Sequence, residues 1–446
     1  MTAPSGPILF DSSTGSDTAA SGLGPATAIT GSSAELDGSS TVDVSYDMAS
    51  LSGISAGDLL FCDTTSGRKF SIVASVDTLS GTITTDDAWG TESGVTWAVG
   101  GKRQQLFNAN YTQFATDMVA GLTVSLASGH TETHTTTPAF NCGDVSAART
   151  RIVGEDADNK PLFIDNSTTF AYAFDFAGSV GLIVENCHFR TTGRHQKSIC
   201  SPAINMLMIG CDFDTTIGTY STYGIVSGNY TTCNRVTFVG CTMAKVGTKE
   251  TCHAGAGRAF SYINCKSYNT TSGLYSQSFT GYVAYFVNNQ VDCDHDAIGV
   301  DHTYTYASVI IGNVVRVADG GTGIYQRTGL TASTANQYPS LIANNIITGT
   351  GTYTSIELLA NVSSVTRFRQ VYARNNAIHG GSVTSIDPYD DQVTGSLTTD
   401  PQLSGDLSTG DFTVGSQAVI DHVGVTDGVT GGGGGGGSTV HPLYLN

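Results

Sequence analysis

The residues of this sequence best placed to do chemistry are acidic. Asp292-Cys293-Asp294-His295-Asp296 is the densest carboxylate cluster, and Asp301-His302 follows it closely. Paired carboxylates can share general acid and base work on a glycosidic bond, or supply the oxygen ligands of a hard cation. The chain, however, carries 38 Asp and Glu against 20 Lys and Arg, so a solvated acidic loop needs no chemical explanation. Asp292, Asp294, Asp296 and Asp301 are therefore weak catalytic candidates. The expectation leans away from an enzyme, with no metal and no cofactor.

Tyrosines form a second set. Tyr268, Tyr275, Tyr282, Tyr304 and Tyr306, with Tyr325 beyond them, fall on adjacent repeats or their insertions. Aromatic faces beside amides and carboxylates are what sugar recognition uses, and flat tyrosine-rich faces also suit contacts between subunits. Subunit contact, glycan contact and ordinary exposure stay open for these candidate binding residues. Cysteine supplies a third alignment: Cys187, Cys211, Cys241 and Cys265 recur at one position of a repeat that Asn289, Asn313, Asn345 and Asn376 continue. Thiolates stacked in a line do not converge tetrahedrally on one ion. With no CxxC pair among ten Cys, they read as reduced interior residues passing into an amide ladder in which each asparagine satisfies the next.

Such alignments need a scaffold that brings sequence-distant positions side by side. Charged residues are only 13% of the chain, Gly reaches 54 copies and Trp only two, which excludes long solvated helices, while 39% hydrophobic residues suffice for a sizeable core. The corner dipeptides Asn186-Cys187, Gly210-Cys211, Gly240-Cys241, Asn264-Cys265, Asn288-Asn289, Gly312-Asn313, Asn344-Asn345 and Asn375-Asn376 recur at spacings of 24, 30, 24, 24, 24, 32 and 31. A period of 24 with occasional insertions is the arithmetic of a β-solenoid whose loops bulge at chosen rungs. The first corner residue is always Asn or Gly, the types that best tolerate positive φ, so one left-handed residue can turn a strand into the next. Apolar residues fall in columns around it, among them Val184, Met208, Phe238, Tyr262 and Phe286 before the corner, and Phe189, Phe213, Met243 and Val291 after it. The alternation changes phase across the corner, as it must if the chain bends there while filling one tube.

Composition divides the rest. Residues 1–39 are Ser, Thr, Gly and Ala with little periodicity and read as an extended arm. Residues 40–101 carry about five short alternating runs, which suits a small antiparallel barrel or sandwich. From Gln104 to Val119 the spacing is helical, a cap for the open end of the solenoid that extends to residue 424. Residues 425–446 contain seven consecutive glycines, Gly431–Gly437, and then an apolar docking peptide, 438–446. Net charge of −18 opposes binding to phosphate backbones, so nucleic acid is set aside. No stretch approaches the ~20 apolar residues that cross a bilayer, and Met1–Asp17 lacks the basic start of a cleaved signal, which reads as a chain made in a cytoplasm and not exported by that route.

The rung period, Asn/Gly corner, amide ladder and helical cap resemble the right-handed parallel β-helix proteins, the group of pectate lyase-like enzymes and phage tailspikes. The segment from Asp400-Pro401-Gln402-Leu403 through Gly410-Asp411-Phe412 to Gly415-Ser416-Gln417-Ala418-Val419-Ile420-Asp421 is similar to the DP-x-F, GDF and GSPAID terminal rung of such proteins, with Gln417 and Val419 departing from it. The resemblance implies an all-β fold and, with the opening residues, a phage virion protein. The expectation is a homotrimeric tail fibre, spike or capsid decoration, joined to other virion proteins through residues 1–39 and 438–446 and meeting a host surface glycan. A polysaccharide-cleaving β-helix enzyme and a cell-surface adhesion protein are the alternatives. The ordered NTD, DD, GHG and RIK motifs of polygalacturonase-like enzymes are not found, and isolated Asp-Asp pairs occur only at Asp86-Asp87 and Asp390-Asp391.

Overall fold

The computed structural model describes residues 4–44, 50–106, 122–135, 149–166, 174–176, 180–192, 199–200, 205–215, 226–227, 235–245, 253–258, 260–270, 272–277, 283–293, 298–303, 308–328, 340–360, 371–385, 393–394, 397–404 and 413–423. They fall into two compact units, Met1–Thr242 and Met243–Asn446. Strands dominate both, and the fold is a parallel β-solenoid with a small closed β-barrel near the N-terminus.

In the N-terminal unit, six antiparallel strands close the barrel in the order Ile29–Asp37, Thr41–Asp43, Thr82–Thr85, Gly67–Asp77, Leu59–Thr64, Thr91–Val99. Val42, Leu60, Cys62, Val73, Ile83 and Trp97 belong to its buried core. The barrel begins earlier than position 40, because Ile29–Asp37 is its first strand. That strand is hard to read from sequence: only Ala34 and Leu36 are buried, and register shifts at Gly31/Ala34 and Ala34/Leu36 break the two-residue period. Gly31 lies against Trp97, where a Cβ would stand 2.4 Å from the indole Nε1.

The rest of the described N-terminal segment is also built in. Ile8–Phe10 pairs parallel with Thr123–Leu126, Ile8 beside Val124 and Phe10 beside Leu126, and so covers the edge of that solenoid strand. Next to it, Asp11 closes a loop by accepting hydrogen bonds from the hydroxyls and N–H groups of Thr14 and Ser13 and from Lys102 Nζ. The Thr14 and Ser13 hydroxyls foremost hold its carboxyl far below the usual range. Residues 4–39 are thus built into the folded unit, where Ile8, Phe10, Ala34 and Leu36 are buried. The helix expected over 104–119 lies outside the described residues from position 107 onward.

The solenoid strands stack as parallel ladders. In the N-terminal unit the first sheet runs through Thr123–Leu126, Arg151–Gly154, Ile183–Glu185, Leu207–Ile209 and Thr237–Val239, and the second through Thr131–His134, Leu162–Asp165, His188–Thr191 and Asp212–Thr215. In the C-terminal unit the first sheet runs through Ser261–Ile263, Ala284–Val287, Ser308–Ile311, Ser340–Ala343 and Val371–Arg374. Its second sheet runs through Lys266–Thr270, Gln290–Cys293, Val314–Val317, Ile346–Gly349 and Ala377–Ile378. A third holds His253–Arg258, Ser272–Gln277, Ile298–Thr303, Thr322–Thr328, Thr354–Ala360 and Ser382–Ser385.

From Ile183–Glu185 onward, at eight rungs, a left-handed residue separates the first-sheet strand from the second-sheet strand that follows. In the N-terminal unit φ is 52° at Asn186, 59° at Gly210 and 62° at Gly240; in the C-terminal unit it is 53° at Asn264, 55° at Asn288, 70° at Gly312, 56° at Asn344 and 52° at Asn375. The residue after each corner is buried. Cys187, Cys211 and Cys241 are stacked thiols in the N-terminal unit, and burial raises the pKa of Cys187 and Cys211 well above the usual value. In the C-terminal unit Cys265 precedes the amide ladder. Asn289 Nδ2 donates to Asn313 Oδ1 at 2.8 Å, Asn313 Nδ2 to Asn345 Oδ1 at 2.8 Å, and Asn345 Nδ2 to Asn376 Oδ1 at 2.9 Å.

A second left-handed column precedes the first-sheet strands of the N-terminal unit: Gly181, Asn205 and Arg235, with φ of 81°, 57° and 61°. Arginine is the poorest of the three types for this backbone, since its Cβ crowds the following carbonyl. Arg235→Asn is expected to stabilise the chain by about 0.5–1 kcal/mol. A rise in the urea midpoint at unchanged slope is the measurement that shows it.

At its far end the C-terminal unit is closed by the antiparallel pair Leu403–Ser404 and Thr413–Val414 and the helix Gln417–Val423. Val414, Val419 and Val423 pack with Val314, Ile346 and Ala377 in one buried cluster. The glycine run and the docking peptide expected after position 424 lie outside the described residues.

Candidate functional site

The third sheet of the C-terminal unit sets four side chains in one row. Its register pairs Tyr275 with Asp301, Asp301 with Tyr325 and Tyr325 with Glu357. The preceding residues Leu274, Val300, Ile324 and Ile356 are fully buried, so the alternation of a strand turns Tyr275, Asp301, Tyr325 and Glu357 to the outer face, where all four are half-buried. Neighbouring strands lie about 4.8 Å apart, which places Asp301 and Glu357, two strands apart, roughly 10 Å from each other. Phenol faces and carboxylates thus alternate along the stack.

Local sequence explains how closely this sheet packs. Gly273, Gly299 and Gly323 each stand two residues before a row member, and Ser355 holds the same place before Glu357. A Cβ at Gly299 would lie 2.4 Å from Val315 Cγ1 and 2.8 Å from the Gly323 carbonyl oxygen; at Gly323 it would lie 2.5 Å from Ile347 Cγ2 and 2.7 Å from the Ser355 carbonyl oxygen. Glycine therefore lets the third sheet close on the second. Two further contacts fix the row: the Tyr262 hydroxyl donates to the Tyr275 carbonyl at 3.0 Å, and the Thr322 hydroxyl donates to Glu357 Oε2 at 3.3 Å. Gly299→Ala is expected to cost about 2–3 kcal/mol, because backbone and a packed valine block the added methyl. The check is a denaturation curve set beside that of Gly90→Ala, where a Cβ meets nothing within 4 Å.

Of the residues singled out in the sequence, the structure brings Tyr275, Asp301 and Tyr325 together and leaves others elsewhere. Asp292 sits on the second sheet, buried, where Arg316 on the adjacent strand donates two hydrogen bonds to its carboxylate, at 2.8 and 2.7 Å. It is held in an ion pair rather than presented beside Asp301. Tyr268 is half-buried on the second-sheet strand Lys266–Thr270, away from the row. Asp294, Asp296, Tyr282, Tyr304 and Tyr306 lie outside the described residues. Sequence reasoning missed Glu357, although Ser355-Ile356-Glu357 repeats the small, apolar, outward pattern of Gly299-Val300-Asp301. Among the described residues no three His, Cys, Asp or Glu converge as metal ligands, and no helix is long and apolar enough to cross a membrane.

No protein-family model matches the sequence, and no characterised protein matches it as a relative. Solved structures show remote likeness. The tailspike gp61 of Pseudomonas phage phi297 is matched at 11% identity and a TM-score of 0.32, over 83% of this chain and 66% of that one. The Dettilon tailspike protein gp208 is matched at 10% identity and a TM-score of 0.27, over 66% of this chain and 64% of that one. The catalytic domain of a GH87 α-1,3-glucanase in complex with nigerose is matched at 10% identity and a TM-score of 0.31, over 83% of this chain and 88% of that one. The chain thus spans slightly under two thirds of the two tailspike chains. Likeness at this level carries no argument about activity, substrate or partner.

Proposed function

We propose that the chain is a structural protein of a phage particle, a trimeric β-helix of the tail fibre, spike or capsid decoration kind, that meets a host surface glycan along the third sheet of its C-terminal unit. The observation that carries this reading is the row Tyr275, Asp301, Tyr325 and Glu357. Tyrosine faces stack on the apolar side of a sugar ring, and carboxylates accept hydrogen bonds from its hydroxyls. A row repeated at strand spacing offers such contacts along a chain of sugars rather than to a single one. The peptide 438–446 is the proposed link to other virion proteins, since the described part of residues 1–39 is committed to the fold. The test is retention of bacterial surface polysaccharides on the immobilised chain: binding that falls at least tenfold in Tyr275→Ala/Tyr325→Ala supports the reading, and equal binding by that variant contradicts it.

A second reading, cleavage of the bound polysaccharide, rests on one observation. Asp301 and Glu357 share the row two strands apart, and side chains leaning toward each other from backbone positions roughly 10 Å apart can bring their carboxyl groups within the roughly 6.5–9.5 Å of inverting glycosidases. In that chemistry one carboxyl protonates the leaving oxygen and the other activates water on the opposite side of the sugar. Release of reducing ends that is lost in both Asp301→Asn and Glu357→Gln would establish it. Binding without release would leave the row as a recognition surface.

A further inference from the structure

The first sheet of the C-terminal unit turns a different face outward. Its strands alternate buried and half-buried residues, and the half-buried ones are Tyr285 and Val287, Val309 and Ile311, then Leu341 on the next strand. Register aligns Tyr285, Val309, Leu341 and Tyr372 in one column, and Val287, Ile311, Ala343 and Arg374 in the other. Arg374 carries the single charge of the two columns, and its guanidinium lies over the Tyr372 ring, 5.3 Å from the ring centre. Tyr372 itself is 37% exposed. Three successive strands therefore present only apolar side chains on the outside of a protein whose net charge is −18.

We propose that this face is where copies of the chain meet, an inference that rests on the trimer reading above and names the surface that forms it. Charge selects the occupant. Two strongly acidic copies repel each other through most of their surface, and a face without carboxylates is the one on which they can approach; a basic partner would instead be drawn to the acidic surfaces. Geometry agrees with this choice. The apolar columns run along the stacking direction, so a second solenoid lying parallel covers every rung at once. Four strands at about 4.8 Å and two outward positions about 7 Å apart give a patch of a few hundred Å², less than the roughly 800 Å² each partner buries in a stable interface. The patch is accordingly the apolar centre of a larger contact, with polar surroundings as its rim.

Light scattering coupled to size exclusion, on the full chain over a hundredfold dilution, tests the proposal with two double variants. Val309→Glu/Leu341→Glu is expected to run as a monomer at concentrations where the wild type is a trimer. Val309→Thr/Leu341→Thr, which keeps strand-forming residues and removes apolar area, is expected to raise the dissociation constant at least tenfold with the circular dichroism of the wild type. If the glutamate variant does not fold, the threonine variant decides. A folded variant that keeps the wild-type mass at every dilution overturns the assignment of this face and leaves the trimer standing. A wild type that is monomeric throughout overturns both.

Discussion

Glu132→Ala is expected to destabilise the N-terminal unit by about 3–5 kcal/mol, the range for removing one partner of a buried ionic cluster. His130, Glu132 and His134 alternate from the residue before the strand Thr131–His134 to its end, with Glu132 and His130 fully buried. Glu132 Oε1 bonds His130 Nε2 at 2.7 Å, its Oε2 bonds His134 Nε2 at 3.1 Å, and the carboxylate also accepts the Leu106 N–H. The variant would leave two imidazoles and a backbone donor without this acceptor. Burial alone would raise the Glu132 pKa, but the hydrogen bonds from His130 and His134 outweigh it and hold the carboxyl below its ordinary 4.5. A depressed carboxyl contributes stability that is present above the unfolded pKa and is lost as pH falls through the lower folded value. The wild type should therefore lose stability below about pH 4.5 more steeply than the variant. Urea midpoints measured from pH 6 to pH 3 show the loss, and parallel pH profiles for the two proteins would refute the role given to Glu132.

Asn345→Ala is expected to cost the C-terminal unit about 3 kcal/mol, since it removes a side chain that makes four buried hydrogen bonds. Asn345 Oδ1 accepts from the Asn313 N–H at 3.0 Å and from Asn313 Nδ2 at 2.8 Å, while its Nδ2 donates to Asn376 Oδ1 and to the Ile310 carbonyl, both at 2.9 Å. Asn345→Cys should cost less. Ile310 stands three residues before the preceding inner corner residue, and in the N-terminal unit the carbonyls at that same place, Val184 and Met208, face Cys211 Sγ at 3.5 Å and Cys241 Sγ at 3.4 Å. Thiol and amide thus address one acceptor, and the amide adds the link to its neighbours. Equal losses in both variants, read from denaturant midpoints, would mean that the thiol contributes nothing at the shared acceptor and that the lost amide links alone set the cost.

How much of this was legible in the sequence depends on whether one residue type or several satisfy a position. The corners were legible because a left-handed backbone admits few residues, and Asn264 or Gly312 announces it directly. The buried ladder was legible because Cys and Asn recur at one place in the period. The first barrel strand was not, since Ile29–Asp37 buries two side chains of nine and changes register twice. Ile8–Phe10 looked like an isolated apolar triplet, and its partner strand lies more than a hundred residues away. The outward row was half legible: Asp301 and Tyr275 were singled out for their chemistry. Their alignment with Glu357 requires the register across an insertion, which spacing alone does not supply. Asp292 illustrates the converse, because its partner Arg316 is 24 residues distant and adjacent only in the stack.

The claim that the third sheet is the glycan-facing surface is tested most directly by titrating a retained host polysaccharide into the wild type and Tyr325→Ala, with tyrosine fluorescence and calorimetry as readouts. Tyr325 lies between Asp301 and Glu357 in the row. Tight binding by the wild type is expected, with an affinity at least tenfold weaker in the variant at unchanged thermal stability. Equal affinities of the two folded proteins would contradict it.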